Sequence, residues 1–180
     1  MTSTDSVAAP AGNDGEFKAQ QIVELTAPPF APEEEHPAVG DPANVLWLAD
    51  LNETLLKYES NNEDFEGKNP TPDDFARVEY ELRDADGNVV GTTKGVGRML
   101  YKRPEDGHHI AYFSEEIRLN DGTVIRTGGL VDDVKLTEGE QATIPAVGIA
   151  GPFRGAVGFR QFKPVETHKS YLSQIVLYRR

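Results

Sequence analysis

The chain carries few groups that could do acid, base or nucleophilic work. Its four histidines are His36, His108, His109 and His168, and it has no cysteine. That removes thiolate nucleophiles, disulfides and cysteine metal sites together. No H-x-x-H or H-E-x-x-H spacing is present, so no metal is expected. His108 and His109 open a β-rich run. Neighbours on a strand point to opposite faces, so the two do not chelate easily together. The same rule limits the acid pairs Glu115-Glu116 and Asp132-Asp133 to one inward carboxylate each. There is no G-x-S-x-G elbow and no P-loop. Gly95-Val-Gly97 lacks the third glycine and the helix of a dinucleotide site. Asp84-Ala-Asp-Gly-Asn88 reads as a turn, because the twelfth position of a calcium loop would be Gly95 rather than glutamate. No catalytic residue can be named on spacing, and no cofactor is expected. What the side chains permit is a site that binds and orients.

Such a site needs walls. Val78, Tyr80 and Leu82 alternate with Arg77, Glu79, Glu81 and Arg83, which marks a half-buried strand and aims Tyr80 inward. Arg98, Tyr112, Glu116, Gln174 and Tyr178 sit on further strands and are candidates for lining a pocket with Tyr80. Their facing depends on register, which a slip of one residue reverses. Strands are expected at 44–50, 76–84, 88–101, 109–119, 123–133, 141–149, 155–165 and 170–179. Residues 52–69 read as a long loop, with Leu55, Leu56 and Tyr58 in a helical turn. Asp121-Gly122 between two β-rich runs is a hairpin signal. Four glycines fall between Gly148 and Gly158, where a curling sheet needs bends and close backbone approach. Together these predict an all-β fold, an eight-stranded antiparallel up-and-down barrel.

Residues 1–42 differ from the rest. They hold six of the twelve prolines, and eight acids against the single base Lys18. We read residues 1–42 as a flexible acidic arm and residues 43–180 as the barrel domain. Within the arm, Phe17, Ile22, Val23 and Leu25 form an apolar island, and the expectation is a lid over a pocket mouth. The net charge of −12 argues against nucleic acid. No apolar run approaches a membrane span, and the first residues carry no secretory pattern, so a cytoplasmic protein is expected.

Gly148-Ile-Ala-Gly-Pro-Phe-Arg-Gly-Ala-Val-Gly158 resembles the G-G-[ST]-G-x-[FY]-x-G-A-x-G signature of the allene oxide cyclase and dirigent barrels. Gly122-Thr-Val-Ile-Arg-Thr-Gly-Gly129 is similar to the strand before that signature. Asp50-Leu-Asn-Glu53 is similar to the family's E-L-N-E. The likeness covers roughly residues 44–179, and within the family it is nearest the bacterial spirotetronate and spirotetramate cyclases. It implies an intramolecular [4+2] cyclisation of a hydrophobic, polyketide-derived small molecule without a cofactor. It adds Asp50 and Asn52 as substrate-binding candidates, and it implies a homo-oligomer, a dimer or a trimer. The alternatives are a non-catalytic or dirigent-like binding barrel, and an isomerase that uses an inward carboxylate as acid or base.

Overall fold

The computed structural model describes residues 42–62 and 70–179. The arm residues Phe17, Ile22, Val23 and Leu25 lie outside the described residues, as does the expected lid. A 3-10 turn at Pro42–Asn44 leads into β1 (Val45–Ser60). Then follow β2 (Phe75–Arg83), β3 (Val89–Lys102), β4 (His109–Leu119) and β5 (Val124–Asp132). A short helix, α1 (Asp133–Thr137), precedes β6 (Ala142–Ala150), β7 (Val157–Glu166) and β8 (Ser170–Tyr178). Each strand pairs antiparallel with the next, and β8 returns to β1, so the eight strands close. Closure leaves no sheet edge unpaired. No described helix is long and apolar enough to cross a membrane.

The first strand corrects the sequence reading. Residues 52–60, expected as loop and helical turn, continue β1. Two bulges make this possible, one between Leu48 and Leu51 and one between Leu55 and Lys57. At the first, Asp50 takes φ 55°, a left-handed conformation that aspartate tolerates better than most residues. The extra residue re-phases the strand. Leu46 and Leu48 pack inward before it, and Leu51 and Glu53 are buried after it. Strict alternation therefore fails along β1, which is why its apolar residues look two-sided in sequence.

The glycine run does what a closing wall requires. A Cβ on Gly148 would stand 1.9 Å from the Phe153 carbonyl oxygen, and one on Gly158 1.9 Å from that of Val176. Backbones approach at these points more closely than any side chain allows. The loop they form brings Phe153 against one end of the core.

The interior is layered. One end is an apolar plug of Leu51, Leu82, Ile117, Ile125, Ile175 and Leu177. The other end is aromatic, with Tyr80, Phe113, Phe162 and Tyr171. Between them lies a belt of buried charge.

Candidate functional site

The belt is built around Arg160 on β7, which is 2% exposed. Its Nη1 donates to both carboxylate oxygens of Glu115, at 2.9 and 2.7 Å. Its Nη2 donates to both oxygens of Glu53, at 2.8 Å each. Thr127 donates to Glu115 at 2.7 Å, and Ser173 donates to Glu53. Such bidentate, charge-assisted pairs fix side chains tightly. One guanidinium serving two carboxylates leaves the belt with a surplus negative charge. Burial pushes the Glu115 carboxyl above the usual range; Arg160 opposes this, and neighbouring Glu53 adds to it. Burial pulls the Arg160 guanidinium down, but the Glu115 and Glu53 carboxylates more than reverse that. The buried Arg160 Nε–H has no partner among the described residues. The guanidinium also stands 4.4 Å above the Phe162 ring.

Arg160 and Glu115 form one wall of a chamber toward the aromatic end. Tyr80, Phe113, Phe162 and Tyr171 form the others. Tyr80 and Tyr171 meet edge to face at 5.6 Å, and Tyr171 and Phe162 at 5.9 Å. Gly97 lets the Phe113 ring lie flat on β3, with a ring atom 3.6 Å from where a Cβ would be. The rings fill most of the space, leaving about 40 Å³.

The mouth is shaped by α1 and by the β7–β8 turn. Leu136 of α1 is buried against the aromatic cluster. Asp133, the first residue of α1, reaches the chamber, and so does His168, whose φ of 63° makes the tight turn. The Asp133 carboxylate has no hydrogen-bond partner among the described residues. Burial pushes it above the usual carboxylate range, and His168 and His109 only partly offset this. Tyr80 donates to the His168 carbonyl oxygen at 3.4 Å. Burial raises both tyrosine hydroxyls, Tyr171 to about 12, so both remain donors at neutral pH. Asp132 caps α1 by accepting from Lys135 N at 3.1 Å. Arg103 Nη2 at 2.6 Å and His108 Nδ1 at 3.0 Å hold the same carboxylate.

Of the residues proposed from sequence, Tyr80 alone lines this chamber. Alternation turns the others away. Arg98 lies on the outer wall near Asp73, and Tyr112 is 43% exposed there. Glu116 is outside too, paired with Arg118 at 2.7 Å and Arg126 at 3.4 Å. The inward carboxylate of its pair is Glu115. Gln174 and Tyr178 belong to the outward row of β8, where Gln174 donates to Gln161 at 2.6 Å. Asp50 sits at the bulge and Asn52 beyond it, pairing with Leu172 on the outer side. In the Asp50–Glu53 motif the inward residue is Glu53. Sequence reasoning passed over Glu53, Arg160 and Tyr171 as site residues, and reached Glu115 and Asp133 only as members of acid pairs with one inward carboxylate each. Only Glu115 had a local signal, since Phe113 and Ile117 share its parity.

Two other clusters have less to offer. A groove of about 550 Å³ runs over the outer faces of β1–β5, rimmed by Lys57, Glu59, Arg77, Glu79, Lys94 and Glu116. It is larger than the chamber, and Val78 and Val96 line its floor, but the charges around it pair among themselves, as in Lys57–Glu59 and Lys94–Glu79, and no described aromatic ring lines it. Asp106, His108 and Asp132 converge in a way that could hold a cation. The Arg103 guanidinium already bridges both carboxylates, so the positive charge there is supplied by the protein.

The profile of the family described as "Allene oxide cyclase barrel like domain" matches residues 54–177. The chain belongs to this family. None of the curated proteins compared with the sequence matches it. Among solved structures, it is similar to AbnU, an exo-specific intermolecular Diels-Alderase. The identity is 25% and the TM-score 0.68, over 75% of this chain and 97% of that one. The Diels-Alderase AbmU from Streptomyces koyangensis shares 23% identity at a TM-score of 0.68, covering 92% and 72% of the two chains. A nonspecific heme-binding cyclase that catalyses [4+2] cycloaddition in neoabyssomicin biosynthesis shares 23% identity at 0.70, covering 99% and 81%. The latter two likenesses show the fold.

Proposed function

We propose that the protein is a cofactor-independent cyclase that promotes an intramolecular [4+2] addition. The substrate would be a polyketide-derived spirotetronate or spirotetramate precursor carrying a diene and a dienophile. The observation that carries this reading is the chamber, where aromatic walls meet the Arg160 guanidinium, whose Nε–H has no partner among the described residues, and two tyrosine hydroxyls. The likeness to AbnU, an intermolecular Diels-Alderase, supports the [4+2] class of the reaction. In such an addition two carbon–carbon σ bonds form at the expense of two π bonds, and no atom leaves. The barrel needs no nucleophile for this. Holding both ends of a flexible chain in contact removes most of the entropic barrier, worth up to about 7–11 kcal/mol in favourable cases. Arg160 Nε–H and the Tyr80 and Tyr171 hydroxyls are the donors on hand for the dienophile carbonyl, which gains negative charge as the bonds form, and Asp133 adds another in its neutral form, which burial favours.

At about 40 Å³ the chamber is far below the roughly 300–1,000 Å³ of ligand pockets. Substrate entry therefore requires the rings of Tyr80, Phe113, Phe162 and Tyr171 to turn outward, with α1 yielding at the mouth. The test is incubation of the protein with linear polyene tetronates or tetramates, followed by mass and retention time. A product of unchanged mass, formed only with protein, is expected. Saturable binding without conversion would replace the cyclase with a dirigent-like binding barrel.

One observation favours a second reading. Asp133 is a carboxyl without a hydrogen-bond partner among the described residues and shares the chamber with His168, which suits an acid–base isomerase. In that case Asp133→Asn abolishes turnover, because an amide cannot shuttle a proton. A pericyclic site keeps a donor in the amide.

A further inference from the structure

The barrel closes, but its wall is not paired to the same depth all round. β5 and β6 match over four residue pairs only, from Val124–Ala150 to Thr127–Ala146. Beyond that point β5 runs on to Asp132 with β4 alone, and β6 starts at Ala142 with β7 alone. The sequence supplies the cause. Gly128 and Gly129 are adjacent on β5, and Pro145 on β6 has no N–H to offer a ladder. The strands still lie side by side, since a Cβ on Gly129 would stand 2.9 Å from Ile144 Cγ2 and 3.3 Å from Pro145 Cδ. What results is a notch in the rim at the aromatic end, filled by α1. Its Leu136 is buried in one cluster with Val131 of β5 and with Ile144 and Ala142 of β6. A cavity of about 110 Å³ sits at this notch, and its lining mixes the two faces of the wall. Leu130 and Thr143 belong to the outer face, whereas Val131, Leu136 and Ala142 belong to the aromatic core cluster. A cavity can touch both faces only where the wall is open. Leu136 lines the inner chamber as well, so one leucine stands between the two spaces.

We infer that ligands reach the chamber through this notch, by way of the outer cavity, and that Leu136 is the bolt that must be drawn to admit them. The inference rests on the reading of the chamber as the place where substrate is held, and it says how a space of about 40 Å³ is entered. Elsewhere a way through the wall would break a hydrogen-bonded ladder; at the notch no β5–β6 ladder has to break. α1 is suited to move. It has five residues, Asp132 caps its first turn, and the chain leaves it through Gly139 at φ 94°. A helix so short keeps its place by capping and packing rather than by its own hydrogen bonds. The outer cavity also fits the kind of molecule the chamber would take. Lys135 and Glu140, paired at 3.3 Å, stand beside Leu130 and Ala142 there, so a ligand with an apolar chain and a polar end meets a match for both.

The chain has no cysteine, so Ala76→Cys in the full-length protein carries a unique thiol. Ala76 is buried and lines the chamber from β2, which lies opposite β6 in the barrel. The thiol's reaction with N-ethylmaleimide reports access to the chamber. Adding Leu136→Ala should make it at least about tenfold faster. Thr143→Trp fills the outer cavity from an exposed strand position that suits an aromatic residue, and it should slow the reaction at least about fivefold with circular dichroism unchanged. Gly97→Cys, where a Cβ meets nothing closer than 3.6 Å, serves in the same way if Ala76→Cys does not fold. A rate that Thr143→Trp leaves unchanged would place the way in elsewhere on the mouth and overturn the proposal. So would a rate indifferent to Leu136→Ala. Labelling reports access whether or not the chamber turns anything over, so either failure is distinct from a failure of the cyclase reading, which shows in product formation alone.

Discussion

Arg160 holds two carboxylates, and the arithmetic of burial gives that arrangement a sharp consequence. Breaking one partner of a buried pair strands the other charge, which costs about 3–5 kcal/mol. Arg160→Met would strand both Glu53 and Glu115, so a loss at the upper end of that range is expected in urea unfolding. Asp133 makes a prediction about pH. Its carboxyl is held above its ordinary value, so the neutral form is complete below that value and disappears as pH rises through the raised one. Turnover that uses Asp133 as a donor falls over the same window. The stability that its proton contributes is lost there as well. Asp133→Ala should lower the rate about 10²-fold or more. Asp133→Asn should lower it far less and flatten the pH profile in that window. A rate that falls equally in both variants would remove the donor role.

At the scale of elements, α1 decides what the mouth is. Five residues are too few for a helix to persist alone, so its position rests on Asp132. That side chain caps the helix and is gripped from the β3–β4 turn by Arg103 and His108. Asp132→Ala removes the cap and orphans Arg103. A loss of about 0.5–2 kcal/mol is expected in thermal unfolding, with faster hydrogen exchange over residues 133–137. β1 shows how an element's local oddity carries weight. The bulge at Asp50 returns Glu53 to the interior, and without it the carboxylate that holds Arg160 would face solvent.

At the scale of the whole molecule, two cavities compete for the substrate, and they lie on opposite sides of one wall. The outer groove is larger but rimmed by paired charges; the inner chamber is small, walled by aromatic rings and rich in donors. Double substitution of Arg77 and Lys94 by serine should leave turnover within about twofold, since surface changes of this kind rarely propagate. Tyr171→Phe, which removes one chamber hydroxyl, should lower it measurably. The reverse pattern in steady-state kinetics would move the site to the outer wall.

Much of the architecture was legible because its causes are local. The alternation of Val78, Tyr80 and Leu82 is a period-two signal, and it placed Tyr80 inside correctly. Asp121-Gly122 announced its hairpin, and the glycines from 148 to 158 announced a tight bend. Eight strands and their order followed. The polar interior did not, because its causes are not local. Glu53 and Arg160 are 107 residues apart, and nothing near either one in sequence signals the other. Which of Glu115 and Glu116 points inward depends on register, and the bulge between Met99 and Tyr101 shifts register on the neighbouring strand. Gln174 and Tyr178 were pocket candidates because β8 carries no clean alternation to say which of its faces points inward. An alternating pattern fixes that one face is buried; only barrel closure, with its bulges, decides which face, and so which charges meet at the centre.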